Sequence, residues 1–467
     1  MNIRENPKVF QQLSSVGMPN KLTLQTYVNE RWLDAAEIVF NDNGDSYYKV
    51  TTLLYINDYT LDFIDFDGYH SASLNYPVSF FFDRKDSPTW LRFLDDITPS
   101  GSSRRFWMGH LGLSKIFSYE QSYILLRDYG LNPIGNLRIK ESSHYHSATK
   151  EITFSQEDLV SKGCTFLSYA QAEGATVAMA TGAGGEAPKL LLNLCDQKVW
   201  LDEPPSELRP FSQPYLVKFP RGRQSAIDSD ILRAEYHYYH ELNSMGFETI
   251  QIEKMKLIEG PKYPSLWLPR FDISNNRGKI EKLAVESVYS MLEVSPGSLL
   301  DHGLTIRMLI QKIQSSHLVT QKGFQFDVKE FVAEWVKRDL LNIAFGNSDN
   351  HGRNTSFLRG AHFIHLAPIY DFAPMKADPD GVYRSTTWTK GLELGGNYNF
   401  PAIAASLDDL IPAAHLQREL NELASKLTNL KKRLKNRGVP SSIMNYPTIG
   451  FDYLEEKLES WGLKTNN

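Results

Sequence analysis

The residues best suited to chemistry lie in Gly346-Asn347-Ser348-Asp349-Asn350-His351-Gly352-Arg353-Asn354, with Tyr370-Asp371-Phe372 beginning 16 residues beyond Asn354. A carboxylate, an amide five positions on and a second carboxylate beyond an apolar stretch are what phosphoryl transfer from a metal-bound nucleotide requires. Asp349 can accept a hydroxyl proton, and Asn354 and Asp371 offer the oxygen donors that Mg²⁺ prefers. The Asp-x-x-x-x-Asn spacing is that of a protein-kinase catalytic loop, without the preceding His-Arg. His351, placed beside Asp349, is assigned with it to the catalytic loop, in a role that shapes the loop. A lone Asp or His in a loop is most often solvated or capping a helix. The weight therefore rests on the joint order of the motifs.

Three motifs upstream fill out that order. Gly182-Ala183-Gly184-Gly185-Glu186-Ala187-Pro188-Lys189 is a glycine-rich loop just before a strand, where backbone N–H groups can approach phosphates without interference from Cβ. It is neither GxGxxG nor a Walker A sequence, and alone it reads equally as a flexible loop. Lys218 interrupts the apolar run Tyr215-Leu216-Val217-Lys218-Phe219, as a lysine for nucleotide phosphates would, and Glu235 on the next helix is the carboxylate to orient it. The alternatives are a lysine snorkelling from an edge strand and a surface glutamate. Pro269, Arg270 and Phe271 end the apolar run Leu266-Trp267-Leu268, where backbone groups can meet an adenine edge with Phe271 beside its face.

Rigid elements must hold these residues. Residues 329–345 carry Phe331, Val332, Trp335, Val336, Leu340 and Ile343 at helical spacing, which predicts a buried helix stopping at Gly346. Residues 363–370 read as a short strand returning Asp371. Farther out, strands are expected at 22–28, 36–40, 50–56, 76–82 and 132–139, with a turn at 41–45 and helices over 88–130 broken at Pro99–Ser103. A hairpin on Asp196-Gln197 joins 189–195 to 198–201, the Pro-rich stretch 202–210 is an exposed loop, 214–220 is a strand and 228–245 a helix ending at Gly246. Beyond residue 275 the pattern turns predominantly helical. There Leu416, Leu420, Leu423, Leu427, Leu430 and Leu434 alternate at spacings of four and three, the seam of a core helix or, less directly, of a coiled coil.

Composition sets bounds. The 467 residues exceed one ordinary domain, 42% hydrophobic content suffices for packed cores, and a net charge of −5 gives no overall nucleic-acid footprint. Two cysteines, Cys164 and Cys195, without a CxxC argue against a disulfide scaffold or zinc site and for a reducing cytoplasm. No apolar leader or run of 18 apolar residues occurs, so a soluble cytoplasmic protein without membrane association is expected. The expectation is an α+β, two-lobed protein-kinase-like fold. It comprises an N-terminal β-rich subdomain (1–145), a kinase N-lobe with the glycine-rich loop (146–272) and a mostly helical C-terminal lobe with the catalytic loop (273–467).

With these residues in view, the chain resembles the HipA family of bacterial Ser/Thr protein kinases, the toxins of HipBA-type toxin–antitoxin systems. The similarity lies in Tyr27–Trp32, Trp90–Pro99 with Arg104-Arg105, Pro133–Leu137, Gly184–Lys189, Leu216–Pro220 and Arg270–Asp272. It is closest in Gly346–Asn354 and Ala367–Asp371. The resemblance implies a HipA-like fold that uses ATP and Mg²⁺, with Asp349 as base, Asn354 and Asp371 on the metal, Lys218 on the phosphates and backbone contacts from 269 to 271. It implies growth inhibition through phosphorylation of a translation factor such as an aminoacyl-tRNA synthetase, and a helix-turn-helix antitoxin of HipB type as partner, with DNA reached only through that antitoxin. Family members autophosphorylate a hydroxyl in the glycine-rich loop; here Gly182 and Ala183 stand where it would fall, and Thr181 is the adjacent hydroxyl. A small-molecule kinase, and an inactive scaffold that co-represses with an antitoxin, are the competing readings.

Overall fold

The computed structural model describes residues 21–41, 50–64, 67–80, 83–113, 118–144, 152–173, 182–201, 207–276 and 279–464. The first strands form because apolar and β-branched residues alternate in short runs closed by turns. β1 (Lys21–Val28) and β2 (Arg31–Asn41) meet across Asn29 and Glu30, both at positive φ, as a tight hairpin turn with right-handed twist demands. With β3 (Val50–Tyr55), β4 (Lys85–Ser87) and β5 (Leu137–Ile139) they make a five-stranded sheet in the order β4-β3-β2-β1-β5. Its inner face packs Leu22, Leu24, Ile38 and Phe40 against helices Phe93–Ile97 and Ser118–Tyr129.

Two expected strands change here. Residues 77–80 are irregular, after a single Ser73–Tyr76 bridge; Pro77 has no N–H to give a ladder. The strand expected over 132–139 keeps only Leu137–Ile139, because Pro133 and Gly135 (φ +94) precede it. The expected turn at 41–45 lies almost wholly outside the described residues, as do 81–82 and 202–206.

The second sheet has six strands. β6 (Thr153–Ser155), β7 (Lys189–Cys195), β8 (Lys198–Trp200), β9 (Gln213–Lys218), β10 (Lys256–Glu259) and β11 (Pro264–Pro269) run in the order β10-β11-β9-β7-β8-β6. The hairpin turns on Asp196 and Gln197, both at positive φ. Helix α1 (Gly101–Leu111) comes from the first module, and Trp107 on it enters the core beneath this sheet. Helix α2 (Ala226–Ser244) packs across β11; Asp228 accepts the Ser225 N–H at 2.8 Å at its start, and Gly246 (φ +91) follows its end.

Past residue 275 the chain is predominantly helical, as expected, with short strands between the helices. Ile273–Asn276 pairs with Lys279–Lys282, and Ala284–Ser287 joins Ser356–Arg359 and Ile364–Leu366 in a three-stranded sheet, so the strand expected over 363–370 is shorter than predicted. Helix α3 (Val328–Phe345) is buried through Phe331, Val332, Trp335, Val336, Leu340 and Ile343; Asp327 caps its start and Gly346 (φ +71) ends it. The leucine seam is two helices, Ala413–Leu427 and Leu430–Arg437, parted at Asn429 (φ +59), with all six leucines buried in the molecule's own core. A seam so covered is core packing. Among the described residues no helix is long and apolar enough to cross a membrane.

Candidate active site

Strand register creates the electrostatic problem that the site solves. Lys189 on β7 stands directly opposite Lys218 on β9, so two buried ammonium groups share one face of the sheet. Like charges in cross-strand positions repel. Asp371 lies between them: Lys218 Nζ is 2.5 Å from Oδ1 and Lys189 Nζ 2.9 Å from Oδ2. Lys218 also reaches Glu235 Oε1 at 2.5 Å. Burial pushes the Asp371 carboxyl up, but the two lysines outweigh it and hold it well below the usual carboxylate range. Burial likewise opposes the Lys218 charge, and Asp371 and Glu235 reverse that effect, leaving its ammonium more firmly protonated than usual. Asp371 takes a left-handed backbone (φ +52), which costs a non-glycine residue ~1–3 kcal/mol and is kept only where surroundings impose it.

Residues 347–354 leave α3 through Gly346. Asn354 Nδ2 donates to the Asp349 carbonyl at 2.7 Å, which leaves Asn354 Oδ1 without a hydrogen-bond partner among the described residues. Asp349 is partly exposed into the cleft, and His351 Nε2 lies 3.5 Å from its Oδ1. His351 Nδ1 accepts the Arg353 N–H at 3.2 Å, and its ring stacks beside Tyr289, so the histidine braces the turn. Behind the loop, Asn350 Nδ2 donates to the Thr386 carbonyl (2.6 Å) and Oδ1 accepts the Ser385 N–H (3.0 Å). That segment is anchored to α3 through buried Asp339, which accepts from Arg384 and from the Trp388 indole, each at 2.9 Å.

The glycine-rich loop is seated on the first module. Ser102 N–H donates to the Gly185 carbonyl (2.9 Å) and Ser103 Oγ to that of Ala183 (3.1 Å). Glycine is required by proximity: a Cβ on Gly182 would stand 1.9 Å from the Asn132 carbonyl oxygen, and one on Gly184 2.4 Å from Ser100 Oγ. Arg353 donates to Ser100 Oγ at 3.0 Å and to the Asp95 carbonyl at 3.1 Å, tying the catalytic loop to the same helix start.

These parts line one cleft of about 430 Å³, which gathers Gly182, Ala183, Gly184, Gly185, Lys218, Glu235, Pro269, Arg270, Phe271, Asp349, His351, Asn354 and Asp371. Thr181 lies outside the described residues. At the hinge the Arg270 N–H is spent on the Pro214 carbonyl (3.1 Å), and its side chain turns to Asp272 and the Pro133 carbonyl. With no N–H on Pro269, the donor left among the described residues is that of Phe271, whose ring sits 5.4 Å from Tyr370. The oxygens in the cleft that could hold a metal are the Asp371 carboxylate and Asn354 Oδ1. No group of three or more His, Cys, Asp or Glu placed to hold a metal ion occurs among the described residues. Mg²⁺ commonly takes one or two carboxylates and completes its shell with water and phosphate, so this sparse all-oxygen set fits it.

Sequence reasoning passed over Lys189, Arg353 with Ser100, and Tyr239. Lys189 had a signal, a lysine opening an apolar strand as Lys218 closes one. Tyr239 had one too, four residues from Glu235 on the same helix face. The Arg353–Ser100 bond spans 253 positions and had none.

A family model described as the HipA-like C-terminal domain matches residues 181–431. Among curated proteins, Toxin YjjJ of Escherichia coli (strain K12) is 27% identical over 205 residues, 43% of this chain and 40% of that protein, so the match spans about two-fifths of the relative's length. Among solved structures, the Shewanella oneidensis MR-1 toxin–antitoxin complex of HipA, HipB and operator DNA superposes with a TM-score of 0.62 at 16% identity. That match covers 95% of this chain and all of the other. The superposition bears out the two-lobed architecture with its N-terminal β-rich subdomain and helical C-terminal lobe.

Proposed function

The chain belongs to the HipA family, and from that premise we propose that it is an ATP- and Mg²⁺-dependent Ser/Thr protein kinase and the toxin of a toxin–antitoxin pair. The observation that carries the reading is Asp371, held by both Lys189 and Lys218 in a cleft it shares with Asp349 and Asn354. Among the described residues Lys189 and Lys218 pair with Asp371 and Glu235, and nucleotide phosphates are anions whose charge matches two adjacent ammonium groups. Asn354 Oδ1 and Asp371 would hold Mg²⁺, which when bound neutralises charge on the phosphates. The glycine loop brings backbone N–H groups to the phosphates, and the Phe271 N–H faces the adenine edge. Asp349 orients a Ser or Thr hydroxyl and accepts its proton as the oxygen–phosphorus bond forms and the bond to the departing diphosphate breaks. His351 braces Asp349.

The proposed domain division is 1–145, 146–272 and 273–467. The proposed partner is a helix-turn-helix antitoxin of HipB type, with DNA reached through it; the Shewanella relative is itself solved with HipB and operator DNA. The proposed substrate class is a translation factor, with an aminoacyl-tRNA synthetase the first candidate, in a cytoplasmic setting. Thr181 is the proposed self-phosphorylation site. Phosphopeptide mapping after brief expression, set against Asp349→Ala, tests the substrate class. New phosphoserine or phosphothreonine on a translation factor is expected only with the native chain. Indistinguishable phosphopeptide profiles from the two would overturn the toxin-kinase reading.

A further inference from the structure

We propose that Tyr239 is a positioning residue of the phosphotransfer site, fixing the backbone that presents Asp371; this inference rests on the kinase reading above. Tyr239 follows Glu235 by one helical turn on α2, and both side chains are buried. Its hydroxyl donates to Glu235 Oε1 at 2.8 Å, the oxygen that Lys218 holds, and accepts the Phe372 N–H at 3.3 Å. The contacts close a ring. Glu235 holds Lys218, Lys218 holds the Asp371 carboxylate, the chain passes to Phe372, and Phe372 returns through Tyr239 to Glu235.

The ring grips Asp371 in two ways. Its carboxylate is fixed by ammonium groups, and the peptide after it by a phenol with no access to water. The second grip is the one that nucleotide binding leaves whole, because Lys189 and Lys218 then share their charge with the phosphates. A residue in the left-handed region, released by its side-chain partners, relaxes unless its backbone is held elsewhere. Tyr239 supplies that hold. Burial raises its phenol well above the usual range, so the hydroxyl stays protonated and able to donate. Tyr238, its neighbour, packs on Phe345 and Phe372 and serves the core instead.

Tyr239→Phe keeps the ring and deletes the hydroxyl. Calorimetry of a non-hydrolysable ATP analogue, with and without Mg²⁺, reads the metal's contribution apart from turnover. For Tyr239→Phe, affinity without Mg²⁺ is expected within about twofold of the native chain. The Mg²⁺ concentration for half-maximal tightening should rise about tenfold, and kcat should fall with KM for ATP little changed. The same Mg²⁺ dependence in both proteins, even with a lower melting point in the variant, would reduce Tyr239 to a structural role and overturn the inference. Amide hydrogen exchange at Phe372 in the native chain gives a second readout should the variant fold poorly. Protection there that persists with Mg²⁺ and analogue bound supports the hold, and exchange that speeds up on binding refutes it. A native chain that binds no Mg²⁺–nucleotide fails the kinase reading itself, and this inference falls with it.

Discussion

At the scale of single residues, several charges are buried against a counter-charge built in beside them. Lys189 and Lys218 flank Asp371, Arg270 pairs with Asp272, and Arg359 with Glu286, all with little solvent exposure except Asp371. Asp339 is the clearest case outside the cleft. Burial would raise its carboxyl, but Arg384 and His302 hold it below the usual range. A folded-state value below the unfolded one means stability that is complete above the ordinary 3.8 and is lost progressively as pH falls from there through the folded-state value. Asp339→Asn should therefore destabilise the chain by ~1–3 kcal/mol at neutral pH, since Arg384 keeps Glu393 but loses the other of its two carboxylate partners. Urea denaturation across pH checks this: the gap to the native chain should begin to narrow below about pH 4 and shrink steadily with further acid, and a gap independent of pH would show that the charge is not what stabilises.

At the scale of elements, the glycine loop and helix α1 are the pair whose contact matters most. The loop has glycine where a carbonyl or hydroxyl of the first module presses on it, and α1 begins at that contact. Gly182→Ala should cost about 1–3 kcal/mol through forced displacement and should weaken nucleotide binding. Gly109→Ala, in the same helix α1 but with nothing within 4 Å of the added Cβ, should stabilise by roughly 0.5–1 kcal/mol through helix propensity alone. Melting curves for the two variants read out the contrast. Elements that are regular over their own length were legible in the sequence: α3 with its Gly346 stop, α2, and the hairpin on Asp196-Gln197. What failed depended on strand partners or on a single left-handed residue, neither of which shows in hydrophobic periodicity. Residues 77–80 look like a strand but find no ladder, 279–287 become strands because 273–276 and 356–359 lie beside them, and the leucine seam breaks at Asn429, where the chain turns left-handed.

At the scale of the whole molecule, the first module takes part in the cleft. Ser100 and Gly101 line it, Asp272 at the hinge accepts the Gly135 N–H at 2.7 Å, and Arg359 reaches the Asp67 and Gly68 carbonyls. Such contacts leave no local pattern, which is why the residues of the site could be read from the sequence while the frame that closes over them could not. The account's central claim is that this assembled cleft moves a phosphoryl group from ATP to a protein hydroxyl, with Asp349 as the base. The measurement that tests it most directly is transfer of labelled γ-phosphate by the purified full chain, with Mg²⁺, to the proteins of a cell extract. The native chain should label serine or threonine, and Asp349→Ala, with an unchanged melting point, should do so about 10²–10⁴-fold more slowly. Equal labelling by the two proteins, or none by a native chain that binds Mg²⁺ and ATP, would contradict it.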